Sequence, residues 1–220
     1  MNEKRIAFEN MKAAIFDMDG TLTDSMPLWK NIGVKYLESQ GITPKEDLFS
    51  ALKTLTLEES AAYFQKEYGI NKTVQEILDG ANDLLKYAYN NTVPLKPGVP
   101  ALLEKLKAKG VFLCIATATD KHLAEAALKR LGILDYFSFI LTCRTGDSTK
   151  RKPDIFYKLT EMTGEKPEDI WVFEDALHAA KSAKTAGLKV LAVYDDSGKR
   201  NEEELRELAD IYVESLEELV

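Results

Sequence analysis

The chain has 220 residues, 45% of them hydrophobic and 30% charged, an ordinary balance for a folded protein that is long enough for one substantial core, or for a core domain plus a small inserted one. A net charge of −7 with no basic tract argues against a nucleic-acid-binding surface. No apolar run reaches membrane-spanning length and residues 1–10 lack the apolar stretch of a signal peptide, so a cytoplasmic location without membrane association is expected.

In chain order, residues 1–10 carry no assignable role, and Met11-Lys12 leads into an apolar strand, Ala13-Ala14-Ile15-Phe16. The acidic pentapeptide Asp17-Met18-Asp19-Gly20-Thr21 follows at once. From Met26 to about Asn91 apolar residues recur at helical spacing. Leu28, Trp29, Ile32, Tyr36 and Leu37 form one stripe, of which Leu28 and Trp29, with Met26, either line a pocket or pack between cap and core, and Leu57, Ala61, Phe64 and Tyr68 form a second. The clearest stripe runs from Val74 through Ile77, Leu78, Ala81, Leu84 and Leu85 to Ala88. This block predicts a small helical bundle. The turn Pro94-Leu95-Lys96-Pro97-Gly98 closes it.

Beyond the turn, helix and strand alternate. A helix with Val99, Leu102, Leu103 and Leu106 inward ends at Gly110, and the run 111–116 reads as a buried strand. A helix carrying Leu123, Ala127, Leu128 and Leu131 stops at Gly132. Strand-like runs at 139–142, 170–173, 189–193 and 210–213 alternate with helical segments at about 154–163, 176–186 and 201–209. The fold class is therefore α/β: a Rossmann-like parallel sheet core, residues 1–23 and 95–220, with an inserted α-helical cap domain, residues 24–94. Cys114 and Cys143 lie in or beside apolar runs and read as buried, inert thiols. His122 and His178 sit in helical patterns and read as solvated or core histidines.

Parallel sheets bind ligands at the carboxyl ends of their strands. Asp17 and Asp19 follow the first strand, Thr117 the second, and Glu174-Asp175 the run 170–173; the basic group Lys150-Arg151-Lys152 precedes a helix. All would meet at one sheet edge. Carboxylates gathered there repel one another, and a hard divalent cation with oxygen ligands, Mg2+, compensates them best. A lysine and a hydroxyl suit a phosphate oxygen, and a carboxylate left to attack makes phosphoryl transfer the natural reaction. An EF-hand reading of Asp17-x-Asp19 fails, because glycine stands fourth rather than sixth and the twelfth residue is Leu28.

These four motifs, in this order, resemble the signatures of the haloacid dehalogenase-like hydrolase superfamily, in its β-phosphoglucomutase-like and phosphoglycolate phosphatase-like branch with a helical cap. The resemblance covers the chain from Met11 onward. It implies that Asp17 is the nucleophile and a magnesium ligand. Asp19 would be the general acid and base, with its backbone carbonyl on the metal. Thr117 and the amide of Ala118 would hold the phosphoryl group together with Lys150, for which Lys152 is the alternative. Asp175 would bind the metal directly and Glu174 through water or a more distant contact. Asp19 disfavours dehalogenation, which needs only the first aspartate. A mutase of this branch carries a histidine where this chain has Trp29, so hydrolysis of a small phosphorylated metabolite is expected ahead of isomerisation. A phosphonate hydrolase would need a cap lysine, for which Lys30, Lys35 and Lys53 are available. A phosphate-binding regulatory module is the expectation from a different class, and Asp17 and Asp19 argue against it.

Overall fold

The computed structural model describes residues 10–52, 55–143 and 149–220. Nearly all of the N-terminal segment for which no role was read, and Lys53, lie outside the described residues. The chain separates into two compact units, one running to Met26 and resuming at Val93, the other Pro27–Thr92.

The first unit is built on a six-stranded parallel sheet. Its strands are β1 (Ala13–Phe16), β2 (Phe112–Thr117), β3 (Ile140–Thr142), β4 (Ile170–Glu174), β5 (Lys189–Val193) and β6 (Ile211–Val213). Their order across the sheet is β3-β2-β1-β4-β5-β6. β1 lies at the centre: Ala13 pairs with Phe112 on one side and Ile170 on the other, and Phe16 with Ile115 and Phe173. The order reverses beside β1, which makes the β1–β4 junction the switch point where such sheets open a crevice. The strands read as continuous apolar runs because helices cover both faces.

Alternate strand residues serve opposite faces. Ala13, Ile15, Cys114, Ala116, Val172 and Val190 share one core with α7 (Asp154–Thr163), α8 (Leu177–Thr185) and α9 (Glu202–Leu208). From the other face Phe16 stacks on Phe173 with ring centroids 4.2 Å apart and meets the edge of Phe137 at 6.0 Å. The expected strand at 139–142 shortens to Ile140–Thr142 and is only half-buried, because β3 is an edge strand with a neighbour on one side.

The second unit holds α1 (Met26–Ser39, whose first residue belongs to the sheet unit), α2 (Leu48–Leu52), α3 (Leu57–Tyr68) and α4 (Val74–Asn91). The starts of α3 and α4 are set by capping boxes, Thr56 with Glu59 and Thr73 with Glu76, which satisfy amide groups that the helix leaves unpaired. Tyr36, Leu37, Leu48, Ala61, Phe64 and Ile77 form the core. Two residues leave the expected stripes. Trp29 is 37% exposed and donates its indole N–H to the Tyr89 hydroxyl at 2.8 Å. Leu57 is exposed because it is the first residue after the cap. The short α2, with buried Leu48, carries too few turns to leave a periodic signal. The sheet unit also contains α5 (Val99–Ala108) and α6 (Lys121–Arg130); Leu102, Leu103, Leu106, Ala127 and Leu128 are buried as expected, while Leu123 and Leu131 are half-buried and Ala124 takes the buried face.

Candidate active site

Asp17 is the residue directly after β1, and its amide donates to the Phe173 carbonyl at 2.9 Å, so the sheet ladder itself fixes its backbone. The chain then turns back on itself. The Leu22 and Thr23 amides both donate to the Met18 carbonyl, and the Gly20 amide donates to the Thr23 carbonyl at 2.9 Å. Gly20 takes φ +93, where a side chain is strained, and a Cβ there would lie 2.5 Å from Asp175 Oδ2. The turn is thus closed against the end of β4.

At that end Glu174 folds over its own chain. Its Oε2 accepts from the Asp175 and Ala176 amides at 3.1 and 3.0 Å. Lys150 donates to Asp17 Oδ1 and to Glu174 Oε1. Its side chain is 9% exposed, whereas Lys152 stands exposed, so of the two lysines it is Lys150 that enters the acidic group. One oxygen from each of Asp17, Glu174 and Asp175 falls within 4.8 Å of the others, and all three residues are buried. Asp17 Oδ2 is buried without a hydrogen-bond partner.

Three buried carboxylates facing one ammonium leave a surplus of negative charge. Burial first, then the neighbouring carboxylates, push the Asp17 carboxyl up to about 7 despite Lys150. Asp175 is pushed well above the usual carboxylate range, again by burial first and then by Asp17 and Glu174. Burial pulls the Lys150 ammonium down, but Asp17 and Glu174 together outweigh it and hold the proton on. An orphaned carboxylate oxygen, an all-oxygen donor set and uncompensated negative charge fit a hard divalent cation.

Asp19 is not a member of this group. Its Oδ1 accepts from Ser25 at 2.6 Å and its Oδ2 from the Thr119 hydroxyl at 2.7 Å. Thr117 ends β2 on the same sheet edge; it is fully buried, and its hydroxyl accepts from the Thr119 amide at 3.0 Å. Ala118, next in the chain, is exposed. The hydroxyls on Asp19 were not read from the sequence. The recurrence of threonine two residues after Thr117 is the one local signal for them. His122 and His178 are exposed, and Cys114 and Cys143 are free, buried thiols.

The family model for haloacid dehalogenase-like hydrolases matches residues 14–193. A phosphorylated carbohydrates phosphatase of Thermotoga maritima is 29% identical over 179 residues, covering 81% of this chain and 83% of that protein. A β-phosphoglucomutase of Bacillus subtilis is 30% identical over 195 residues, covering 83% of each. A solved Thermotoga maritima structure provisionally assigned as a β-phosphoglucomutase superposes with a TM-score of 0.81 at 28% identity, covering 95% of this chain and 96% of that one.

Proposed function

This chain belongs to the haloacid dehalogenase-like hydrolase family, and on that premise we propose that it is a Mg2+-dependent phosphatase acting on a small phosphorylated metabolite, with a sugar phosphate the best-supported class. The observation that carries this is the buried group of Asp17, Glu174, Asp175 and Lys150 at the β1–β4 switch point. Similarity to phosphatases of phosphorylated carbohydrates and hexitols supports the substrate class.

In this reading one carboxylate oxygen of Asp17 attacks phosphorus, and Lys150 orients the carboxylate by donating to Oδ1. The bond to the leaving oxygen breaks as Asp19 gives that oxygen a proton, leaving an acyl phosphate on Asp17. Asp19 then takes a proton from water, which attacks phosphorus and returns Asp17 and inorganic phosphate. Ser25 and Thr119 hold both oxygens of Asp19 and fix it for these transfers. Thr117, the Ala118 amide and Lys150 bind phosphoryl oxygens. Asp17 and Asp175, with the Asp19 carbonyl, would hold the cation, and Glu174 fixes the β4 end and Lys150 rather than serving as a principal ligand. When bound, the cation supplies positive charge that stabilises charge developing on the transferred group.

The similarity to a β-phosphoglucomutase favours a second reading, sugar-phosphate isomerisation. Trp29 weighs against it: an indole N–H only donates, and this one is engaged by Tyr89. Substrate selection is assigned to the helical segment 24–94 as a cap. No helix of the described residues is long and apolar enough to cross a membrane, and a cytoplasmic setting is part of the proposal. The test is p-nitrophenyl phosphate hydrolysis with Mg2+ and with EDTA. Release should require Mg2+ and fall at least about a thousandfold in Asp17→Asn. Activity that survives EDTA or Asp17→Asn refutes the mechanism, and isomerisation of a sugar phosphate without hydrolysis selects the mutase.

A further inference from the structure

Lys96 lies in the turn Pro94–Gly98, which the proposed chemistry leaves without a role. The turn is tied along its length. The Asp24 amide donates to the Pro94 carbonyl at 3.0 Å, the Lys96 amide donates to the Leu22 carbonyl at 2.9 Å, and Thr23 bridges Leu95. Gly98 lies against the chain at 216–217, where a Cβ would come within 2.4 Å of the Glu217 amide nitrogen. From this anchored strap the Lys96 side chain crosses to the acidic turn. Its Nζ donates to the Gly20 carbonyl at 2.7 Å, to the Tyr194 carbonyl at 2.7 Å and to Asp195 Oδ2 at 2.9 Å. Three acceptors at these distances use all three protons of an ammonium. Lys96 and Asp195 keep only 14% and 6% of their side-chain surface exposed. Asp195 is itself fixed, its Oδ1 accepting from the Ser197 amide and hydroxyl.

We propose that Lys96 is a positioning residue: by holding the Gly20 carbonyl to the loop after β5, it sets the Asp17–Thr23 turn at the distance from Asp175 that the reaction requires. The argument is geometric. Gly20 and Thr21 are where the turn meets Asp175, the Thr21 hydroxyl donating to Asp175 Oδ1 at 3.5 Å, and Lys96 grips the Gly20 carbonyl. Its main chain grips Leu22, so one residue holds the turn at two points. An arginine does not substitute, because a planar fork cannot point donors at three acceptors converging on one centre. The same contact pins the return connection of the helical unit to the turn that carries Asp17 and Asp19.

The kinetic arm of the test rests on the phosphatase reading, and the exchange arm does not. Lys96→Met keeps the stem and removes the ammonium, with Lys96→Gln as a second variant if the first does not fold. Lys105→Met is the control: its Nζ also ties two segments, donating to the Leu219 carbonyl at 2.6 Å, away from the acidic group. With p-nitrophenyl phosphate and saturating Mg2+, Lys96→Met should lower kcat about tenfold to a hundredfold and leave KM within about twofold, the signature of lost alignment. Lys105→Met should lose stability without that kcat loss. By hydrogen exchange, Lys96→Met should speed the Leu22 and Thr23 amides about tenfold or more and leave β5 and β6 unchanged. A folded Lys96→Met protein with parental kcat overturns the proposal, and so does exchange that rises uniformly across the sheet. If the parent hydrolyses nothing, the phosphatase reading falls, and the exchange pattern alone decides whether Lys96 positions the turn.

Discussion

Replacing Gly20 by alanine tests the contact on which the acidic group depends. At φ +93 an alanine carries a left-handed strain of about 1–2 kcal/mol. The new Cβ would lie 2.5 Å from Asp175 Oδ2, 2.8 Å from its Cγ and 3.1 Å from the Met26 side chain. Ordinary contact begins near 3.4 Å, so the Asp175 carboxylate or the turn must retreat by about an ångström, a misplacement worth roughly a hundredfold in rate. Strain of that size lowers Tm by only about 2–8 °C in a chain of this length, so the protein should fold and be measurable. Gly132→Ala, also left-handed but with nothing within 4 Å of the added Cβ, provides the comparison: it should cost stability without a change in Mg2+ activation. The assay is p-nitrophenyl phosphate hydrolysis titrated with Mg2+, alongside thermal denaturation. Gly20→Ala should show kcat down about a hundredfold and weaker Mg2+ activation. Parental kinetics in a folded Gly20→Ala protein would refute the claim that this contact sets the site.

Lys150→Met leaves three buried carboxylates facing one another, at a cost of about 3–5 kcal/mol. Thermal denaturation should show Tm down by roughly 10 °C without metal, with Mg2+ returning more of the loss than it adds to the parent. Thr119→Val and Ser25→Ala each remove one hydroxyl donor from Asp19 and should each lower kcat about tenfold, the double variant losing less than the product because both act on one carboxylate. Burial pushes the Cys114 thiol up to about 12 and the Cys143 thiol up to about 11, so a thiol reagent at pH 8 should label neither in the native protein and both in urea. The sign for stability follows. An unfolded thiol ionises near 9 while the folded one stays protonated, so stability holds below pH 9 and falls by up to about 1.4 kcal/mol per pH unit per thiol above it. Urea midpoints at pH 8 and 10.5 check this.

What was legible in the sequence was what leaves a local pattern. Continuous apolar runs marked the buried strands, and polar residues directly after them marked the sheet edge where Asp17, Glu174 and Asp175 meet. Parallel order followed from the alternation of helix and strand. The residues that went unread depend on partners far along the chain. Lys96 meets Asp195 only because β1 and the loop after β5 fold onto the same strap, and a lysine in a Pro-Gly turn otherwise looks solvated. Ser25 and Thr119 look like any hydroxyl in a loop until the fold points both at Asp19. Trp29 satisfied the helical period, yet its polar edge found Tyr89 and left the ring exposed. A period specifies a face, and it does not say which large residue at the margin of that face stays wet.

The bridge between Thr23 and Leu95 has a consequence for how the chain reaches its fold. β1 pairs with β2, Ala13 beside Phe112, across the whole helical unit, and closing so long a loop is slow because its entropy is lost before any contact rewards it. Contacts inside α1–α4 are local, the kind that costs least chain entropy to form. Each helix that orders shortens the span still free between Thr23 and Leu95. The insertion therefore bears on the kinetics of the sheet: the segment that separates the two central strands in sequence is the one whose collapse brings them within reach.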